Sequence, residues 1–436
     1  MSKKIIHPIN VDHIARIEGK AGIEVIIDKK EIQELKVNIF EGPRFFESIA
    51  VGKHFEDAVA VFPRVCSFCA AAHKITPVIA AENAIGLEVT EQTHKIREML
   101  YIGDYIQSHA LHLFFLALPD FLGYPDVFSM NKDHKDVVDA AIALKDIGAD
   151  MQAEIGSRSI HQENAIIGGF GKVPTKSQWA RMRGRLRSLR NTAEEALEQL
   201  VSFPPWAELD SSRVHLALRP QHEIFMMFGD TIHSTDGSSF KAKAYQMRIT
   251  EEVVPHSFAK HSSYNDAPFM TGAISRVTLF RDKLSDRARN LADIYTEFLN
   301  PDNPLSNNFA QAIELVHYIH HAENLADDLA TDLKDERRIK PEITKAGTGV
   351  CVTEAPRGLL AYTLKILKSG KVKSANIITP TAMFLPQVEI DLRQKVNAML
   401  EEGITRPNVM AHKLETVVRA YDPCVSCSVH VADVSE

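Results

Sequence analysis

Two Cys-x-x-Cys pairs stand almost as far apart as this chain allows. One lies in Arg64-Val65-Cys66-Ser67-Phe68-Cys69-Ala70-Ala71-Ala72-His73, the other in Asp422-Pro423-Cys424-Val425-Ser426-Cys427-Ser428-Val429-His430. Together they use four of the five cysteines in 436 residues. Thiolate is the ligating form of cysteine, and four thiolates make a soft site suited to zinc, nickel or iron. On a helix, Cys66 and Cys69 at i and i+3 share a face, with His73 one turn further along it. A structural zinc is the usual fate of two such pairs, but zinc ribbons and fingers keep their pairs close in sequence. Pairs at opposite ends of a chain tie both termini into one core and point to a redox-active metal. A thioredoxin-like dithiol is disfavoured, since neither pair follows the strand of a βαβ unit.

The composition sets the background. Hydrophobic residues at 45% and charged residues at 25% match an ordinary soluble globular protein, and no linker divides the chain. A net charge of −7 gives no reason to expect nucleic acid. The cysteines do not form a secreted disulfide framework. The start, Met1 to Pro8, lacks the apolar stretch of a signal peptide and has no twin arginine. The most apolar run, Leu111 to Leu122, contains His112, Pro119 and Asp120 and is too short to span a bilayer. The expected location is the cytoplasm. No Gly-x-Gly-x-x-Gly follows a strand, no Walker-type loop occurs, and Gly168-Gly169-Phe170-Gly171 reads as a turn. The chain itself is not expected to bind a nucleotide.

The elements that must position the cysteines are mostly helical. Gly22–Asp28 and Ile32–Ile39 alternate apolar and polar residues around a charged turn, predicting a β-hairpin near the N-terminus. Helical patterns cover Pro43–Val61, Ala70–Ile85, Thr93–Leu118 (closed by Pro119), Asp133–Ile155 and Ser177–Ser202 (stopped by Pro204-Pro205). They continue over Asp282–Phe298, Asn308–Leu333, Gln387–Glu401 and Val409–Ala420, with strand character at Gly349–Thr353 and Lys373–Ile378. The fold class read from these patterns is mainly α with small β parts near each end, an α+β mix in one domain spanning residues 1–436. Arg181, Arg183, Arg185, Arg187 and Arg190 spread around a helix and read as a solvated, ion-paired face or a subunit contact. The unpaired Cys351 reads as a small buried hydrophobe.

The two cysteine motifs, Arg64-x-Cys66-x-x-Cys69-x-x-x-His73 and Asp422-Pro423-Cys424-x-x-Cys427-x-x-His430, resemble the signature motifs of [NiFe] hydrogenase large subunits. So do Arg16-Ile17-Glu18-Gly19, Gly42-Pro43-Arg44-Phe45-Phe46-Glu47 and Glu354-Ala355-Pro356-Arg357-Gly358, so that the likeness runs over nearly the whole chain. Segments around His109, His161 and Lys260 are most similar to the α subunit of soluble NADP-linked hydrogenases, also called sulfhydrogenases. The resemblance implies that Cys66 and Cys424 bind Ni terminally while Cys69 and Cys427 bridge Ni to an Fe carrying CO and cyanide. Such a pair splits H2 heterolytically, a nearby base taking the proton. Arg357 would lie over the open position and bond a cyanide, oriented by Asp120 and Asp422. Glu18 would relay protons from a thiol, and His73 would donate to the Cys69 sulfur. Glu47 and His430 would hold a separate Mg or Fe ion, where Phe384 replaces the asparagine common in relatives. Residues 431–436 would be a tail removed by a maturation protease, and a chain still carrying it would lack a complete centre.

The resemblance also implies partners. With no cysteines to spare, this chain would dock a small subunit carrying Fe–S clusters. Through it the chain would reach a further Fe–S subunit plus a flavin subunit serving NADP(H), with sulfur reduction as a side activity. No membrane or nucleic-acid partner is expected. Two rival readings stand beside this one. The first is the same catalytic subunit coupled to a deazaflavin or to heterodisulfide reduction. The second is a non-catalytic scaffold with structural zinc.

Overall fold

In the computed structural model, the described residues are 6–202, 209 and 211–429. Helix outweighs strand, at 51% against 19%, in agreement with the mainly helical α+β reading. One continuous hydrophobic core collects buried residues from Ile9 to Val429, including all four paired cysteines. None of the helices among the described residues is long and apolar enough to cross a membrane.

The N-terminal hairpin forms as Ala21–Asp28 paired with Glu31–Ile39, and a third antiparallel strand, Ile6–Val11, adds to its edge. That strand contains a proline and alternates only weakly, so its pattern does not announce it. The helical reading of Pro43–Val61 divides into Phe46–Ala50 and Phe55–Val61, because Gly52 turns the chain at φ +80°. Helix Glu91–Ala110 is capped by the Thr90 side chain and does not stop at Pro119. It widens into a π-helical stretch, Leu111–Ala117, and continues as Leu118–Leu122 to Gly123. Pro119 sits in the first turn of that last piece, where no backbone donor is required of it. The patterns over 133–155, 177–202 and 308–333 appear as Lys135–Gly156, Lys176–Ser188 with Arg190–Ser202, and Ser306–Asp332. Pro204 and Pro205 lie outside the described residues.

The largest difference lies mid-chain. Strands Val214–Leu218, Thr231–Ser234 and Ser239–Lys241, with Phe269–Met270 alongside, make a four-stranded sheet, and Ile249–Glu252 pairs with His261–Tyr264. These strands are two to five residues long, too short to show a period, so β structure is not confined to the two ends. Near the C-terminus Gly347–Ala355, Gly358–Ile366 and Val372–Ile378 form an antiparallel meander. Its middle strand opens with five buried residues, Gly358–Tyr362, covered on both faces, and Lys365 further along is exposed. The arginine face is ion-paired as expected: Arg181 with Glu154 (2.7 Å), Arg185 with Asp150 (2.5 Å), and Arg187 with Glu323 (2.8 Å). Cys351 is buried and unpaired.

Candidate metal centre

The four cysteines converge. Their sulfurs all lie within 4.8 Å of one another, with Cys66–Cys424 at 3.2 Å, Cys69–Cys427 at 3.6 Å and Cys424–Cys427 at 2.6 Å. All four are buried, and no disulfide joins them. Helical spacing is not what brings Cys66 and Cys69 together, however. Cys66 is extended (φ −145°, ψ 142°), and a turn carries the chain into helix Ala72–Ile85, with the Cys69 N–H donating to the Cys66 sulfur at 3.2 Å. Cys424 precedes the short helix Val425–Ser428 and donates its own N–H to the Thr381 hydroxyl at 3.0 Å. Burial pushes the Cys69 and Cys427 thiols well up, whereas at Cys66 burial is outweighed by hydrogen bonds from the other three sulfurs. Four dry sulfurs with no polar partner beyond each other and a few nearby groups suit soft-metal ligation.

Glu18 closes one side. Its backbone bridges to Cys424, and its carbonyl accepts the Val425 N–H at 3.0 Å. Gly19 makes this approach possible, since it sits at φ +88° and a Cβ there would lie 2.7 Å from that of Val425. The carboxylate stands 3.3 Å from the Cys424 sulfur and accepts the Ser426 N–H (2.9 Å) and hydroxyl. Burial and then the Cys424 charge push its pKa up to about 8, against the two Ser426 bonds. A carboxyl so placed exchanges protons with sulfur near neutral pH.

Arg357 closes the other side, 3% exposed, on the turn between Gly347–Ala355 and Gly358–Ile366. Its Nε donates to the Asp422 carbonyl (2.9 Å) and its Nη2 pairs with the Asp422 carboxylate (2.9 Å). Asp422 presents both oxygens from the left-handed region (φ +53°), which an aspartate tolerates better than most residues. Its other carboxylate oxygen is held by Gln311 at 3.1 Å. Arg357 Nη1 is buried and has no acceptor among the described residues. That orphan donor beside four sulfurs is what a metal-bound acceptor such as cyanide would satisfy, so the donor set and the arginine together fit a nickel–iron group.

One expected contact is not formed. Asp120 does not orient Arg357. It accepts from Arg419 (Nη2, 3.0 Å) and from Arg16, while Arg419 also donates to the Ala15 carbonyl at 2.7 Å. Those two guanidiniums take up the carboxylate, so Asp120 locks the Arg16–Gly19 loop onto the C-terminal helix Pro407–Ala420. His73 Nδ1 lies 2.7 Å from the Tyr362 hydroxyl, which leaves Nε2 as the nitrogen for any bond to a sulfur. Burial lowers its pKa to about 4, so it is neutral. Glu47 is buried, its carboxyl raised by burial, and accepts the Ile377 N–H at 2.7 Å. His430 and residues 431–436 lie outside the described residues. Phe384 is buried against the Tyr421 ring, with centroids 5.3 Å apart.

Several residues that single motifs could not reveal complete the setting. Arg276, from helix Ala273–Phe280, forks onto Glu314 (2.6 and 2.7 Å) and reaches Glu354 at 3.0 Å and the Ala355 and Pro356 carbonyls at 3.1 and 2.9 Å. It thereby holds the turn that aims Arg357 from behind, with its guanidinium 5.2 Å from the Tyr105 ring. Removing it would strand two buried carboxylates. Arg276→Met is expected to lower unfolding stability by roughly 3–5 kcal/mol in denaturant titrations, and a loss below about 1 kcal/mol would mean that the network contributes little.

Asp104, on the helix Glu91–Ala110, accepts the Ala72 N–H at 3.3 Å. Burial pushes its pKa up to about 8, with that bond and the Arg357 charge opposing. The folded protein then holds a proton that an unfolded carboxyl near 3.8 gives up, so stability falls as pH rises from about 4 to about 8. Asp104→Asn is expected to flatten the decline of Tm across that window in calorimetry. An unchanged slope would count against this assignment.

Comparison with known proteins agrees with the site. A sequence profile described as "Nickel-dependent hydrogenase" matches residues 44–162 and 223–430. The chain is 46% identical to the alpha subunit of sulfhydrogenase 1 from Pyrococcus furiosus, covering 98% of this chain and 99% of that one. It is 33% identical to the alpha subunit of sulfhydrogenase 2 from the same organism, covering 97% of this chain and 98% of that one. Against an F420-non-reducing hydrogenase chain of Methanothermobacter marburgensis the identity is 29%, covering 98% of this chain and 95% of that one. Among solved structures, an NAD+-reducing [NiFe]-hydrogenase in its H2-reduced state superposes with a TM-score of 0.88 over 97% of this chain and 99% of its own, at 23% identity. With a profile match over most of the chain and a near full-length relative at 46% identity, the chain belongs to the nickel-dependent hydrogenase family.

Proposed function

We propose that this chain, a catalytic hydrogenase subunit, interconverts H2 with protons and electrons in a cytoplasmic enzyme that exchanges those electrons with NADP(H). The observation that carries the reading is the quartet of buried sulfurs flanked by a proton-exchanging carboxyl and an arginine whose Nη1 has no acceptor among the described residues. Cys66, Cys69, Cys424 and Cys427 would hold nickel and iron, and Arg357 Nη1 would bond a cyanide on the iron. When bound, that pair supplies the position where H2 is cleaved heterolytically and the route by which electrons depart. The residues do the rest: Glu18 takes the proton at its carboxylate beside Cys424, and Ser426 keeps that carboxylate pointed at the sulfur.

Further parts of the reading rest on the same supports. Glu47, with His430, would hold a separate Mg or Fe ion. With a single cysteine beyond the quartet, the chain needs a partner subunit with Fe–S clusters for the electrons. Exposed Phe45 and Ile49, one helical turn apart, offer an apolar face for it. A further Fe–S subunit, a flavin subunit for NADP(H), sulfur reduction as a side activity, and a protease that removes residues 431–436 complete the proposal.

The 46% identity to a sulfhydrogenase, against 29% to an F420-non-reducing hydrogenase, favours NADP over heterodisulfide coupling. Infrared bands of metal-bound CO and cyanide, with H2-dependent reduction of NADP+ by the co-purified complex, are the expected results. Stoichiometric zinc without those bands would sink the hydrogenase reading, and the bands without any NADP+ reduction would sink only the acceptor.

A further inference from the structure

Away from the cysteines, three metal-competent side chains meet where the helix Pro380–Glu401 passes the paired strands Ile249–Glu252 and His261–Tyr264. His256 lies in the connection between those strands, His261 opens the second of them, and Glu389 projects from the helix. A ring nitrogen of each histidine and a carboxylate oxygen of Glu389 all lie within 4.8 Å of one another. His256 Nε2 is 2.9 Å from Glu389 Oε1, and the two imidazole rings stand edge to face with centroids 5.5 Å apart.

A histidine–glutamate hydrogen bond accounts for two of these residues and leaves the third unexplained. His261 is only 6% exposed, and its Nε2 is shut off from solvent with no hydrogen-bond partner among the described residues. Buried polar groups in folded proteins are nearly always paired, so an unpaired imidazole nitrogen in a His–His–Glu cluster points to a ligand that completes it.

We propose that His256, His261 and Glu389 bind a divalent transition-metal ion at a site separate from the thiolate quartet and from Glu47. Two imidazoles with one carboxylate suit Zn(II), Ni(II) or Co(II), whereas Mg and Ca prefer oxygen throughout. Donors about 2.0–2.2 Å from a tetrahedral ion stand roughly 3–3.5 Å apart, a spacing that small side-chain rotations reach from the present one. The His256 and Glu389 side chains are 18% and 21% exposed, which gives the ion a way in and leaves water its remaining position. Glu389 Oε1 also accepts the Val37 N–H at 2.9 Å, a contact that orients the carboxylate as backing partners of metal ligands do.

The ion would pin three elements together: the N-terminal sheet through Val37, the 253–260 connection, and the helix whose first turn carries Thr381. Thr381 holds the backbone of Cys424 and lies eight residues, about 12 Å of helix, from Glu389. The bound ion therefore braces the support of the C-terminal cysteines without touching the sulfurs.

The test is equilibrium dialysis of the purified, nickel-loaded complex against Co(II). It should take up one equivalent beyond the metal it already holds, with X-ray absorption showing imidazole scattering and a Tm raised by several degrees. His256→Asn and Glu389→Gln, both at partly exposed positions, should each lose that equivalent and the Tm rise, while H2 oxidation without added Co(II) stays unchanged. The proposal is overturned if the parent takes up no extra ion, if the Co(II) spectrum shows oxygen ligation alone, or if Glu389→Gln binds as the parent does.

Discussion

Glu18→Gln is expected to lower H2 oxidation by about 10²–10⁴-fold while nickel and iron content and the infrared spectrum stay as they were. The amide keeps the shape of the carboxyl and can still accept from Ser426, whose N–H lies 2.9 Å from Glu18 Oε2. What it cannot do is take a proton. The wild-type carboxyl stands 3.3 Å from the Cys424 sulfur with its pKa pushed up to about 8, so gaining and losing a proton there are both accessible near neutral pH. H2/D2O exchange, which needs proton movement but no external electron acceptor, should fall in parallel. If exchange in Glu18→Gln stays within about threefold of the parent, protons leave by another residue and the assignment is wrong.

Cys427→Ser has the larger consequence, because it removes the centre itself. A serine hydroxyl remains protonated where a thiol beside a metal does not, so the soft anionic donor is gone. Cys427 lies 2.6 Å from Cys424 and 3.6 Å from Cys69, too central for another side chain to stand in. The variant should be purified without nickel, without CO or cyanide bands and without activity, yet with a circular dichroism spectrum matching that of metal-free wild type. Retention of stoichiometric nickel in Cys427→Ser would show that this cysteine is not a ligand.

How much of this can be read from the residues alone follows a physical line. The four cysteines, Glu18, Arg357 and Asp422 sit in short local motifs, and the structure gathers all of them at one place. Residue type alone pairs Asp120 with Arg357, but Arg16 and Arg419 engage its carboxylate, and pairings between distant segments leave no local trace. Arg276 and Glu314 are hidden for the same reason: Arg276 is the one charged residue of an apolar helix, Glu314 lies in the apolar first half of another, and each is meaningful only once the two helices meet. Asp104 looks like one polar position on a long amphipathic helix. Long helices are legible because period-3.6 patterning accumulates over many turns. The mid-chain strands, no more than five residues each, offer too few repeats for any periodicity to emerge.

The bridge between Glu18 and Cys424 carries a consequence for synthesis. The second cysteine pair is made more than three hundred residues after the first, so Cys66 and Cys69 cannot meet their partners until that later segment has been translated. The pocket around Cys66 and Cys69 is therefore completed only when residues 424–427 slide into the slot beside Glu18.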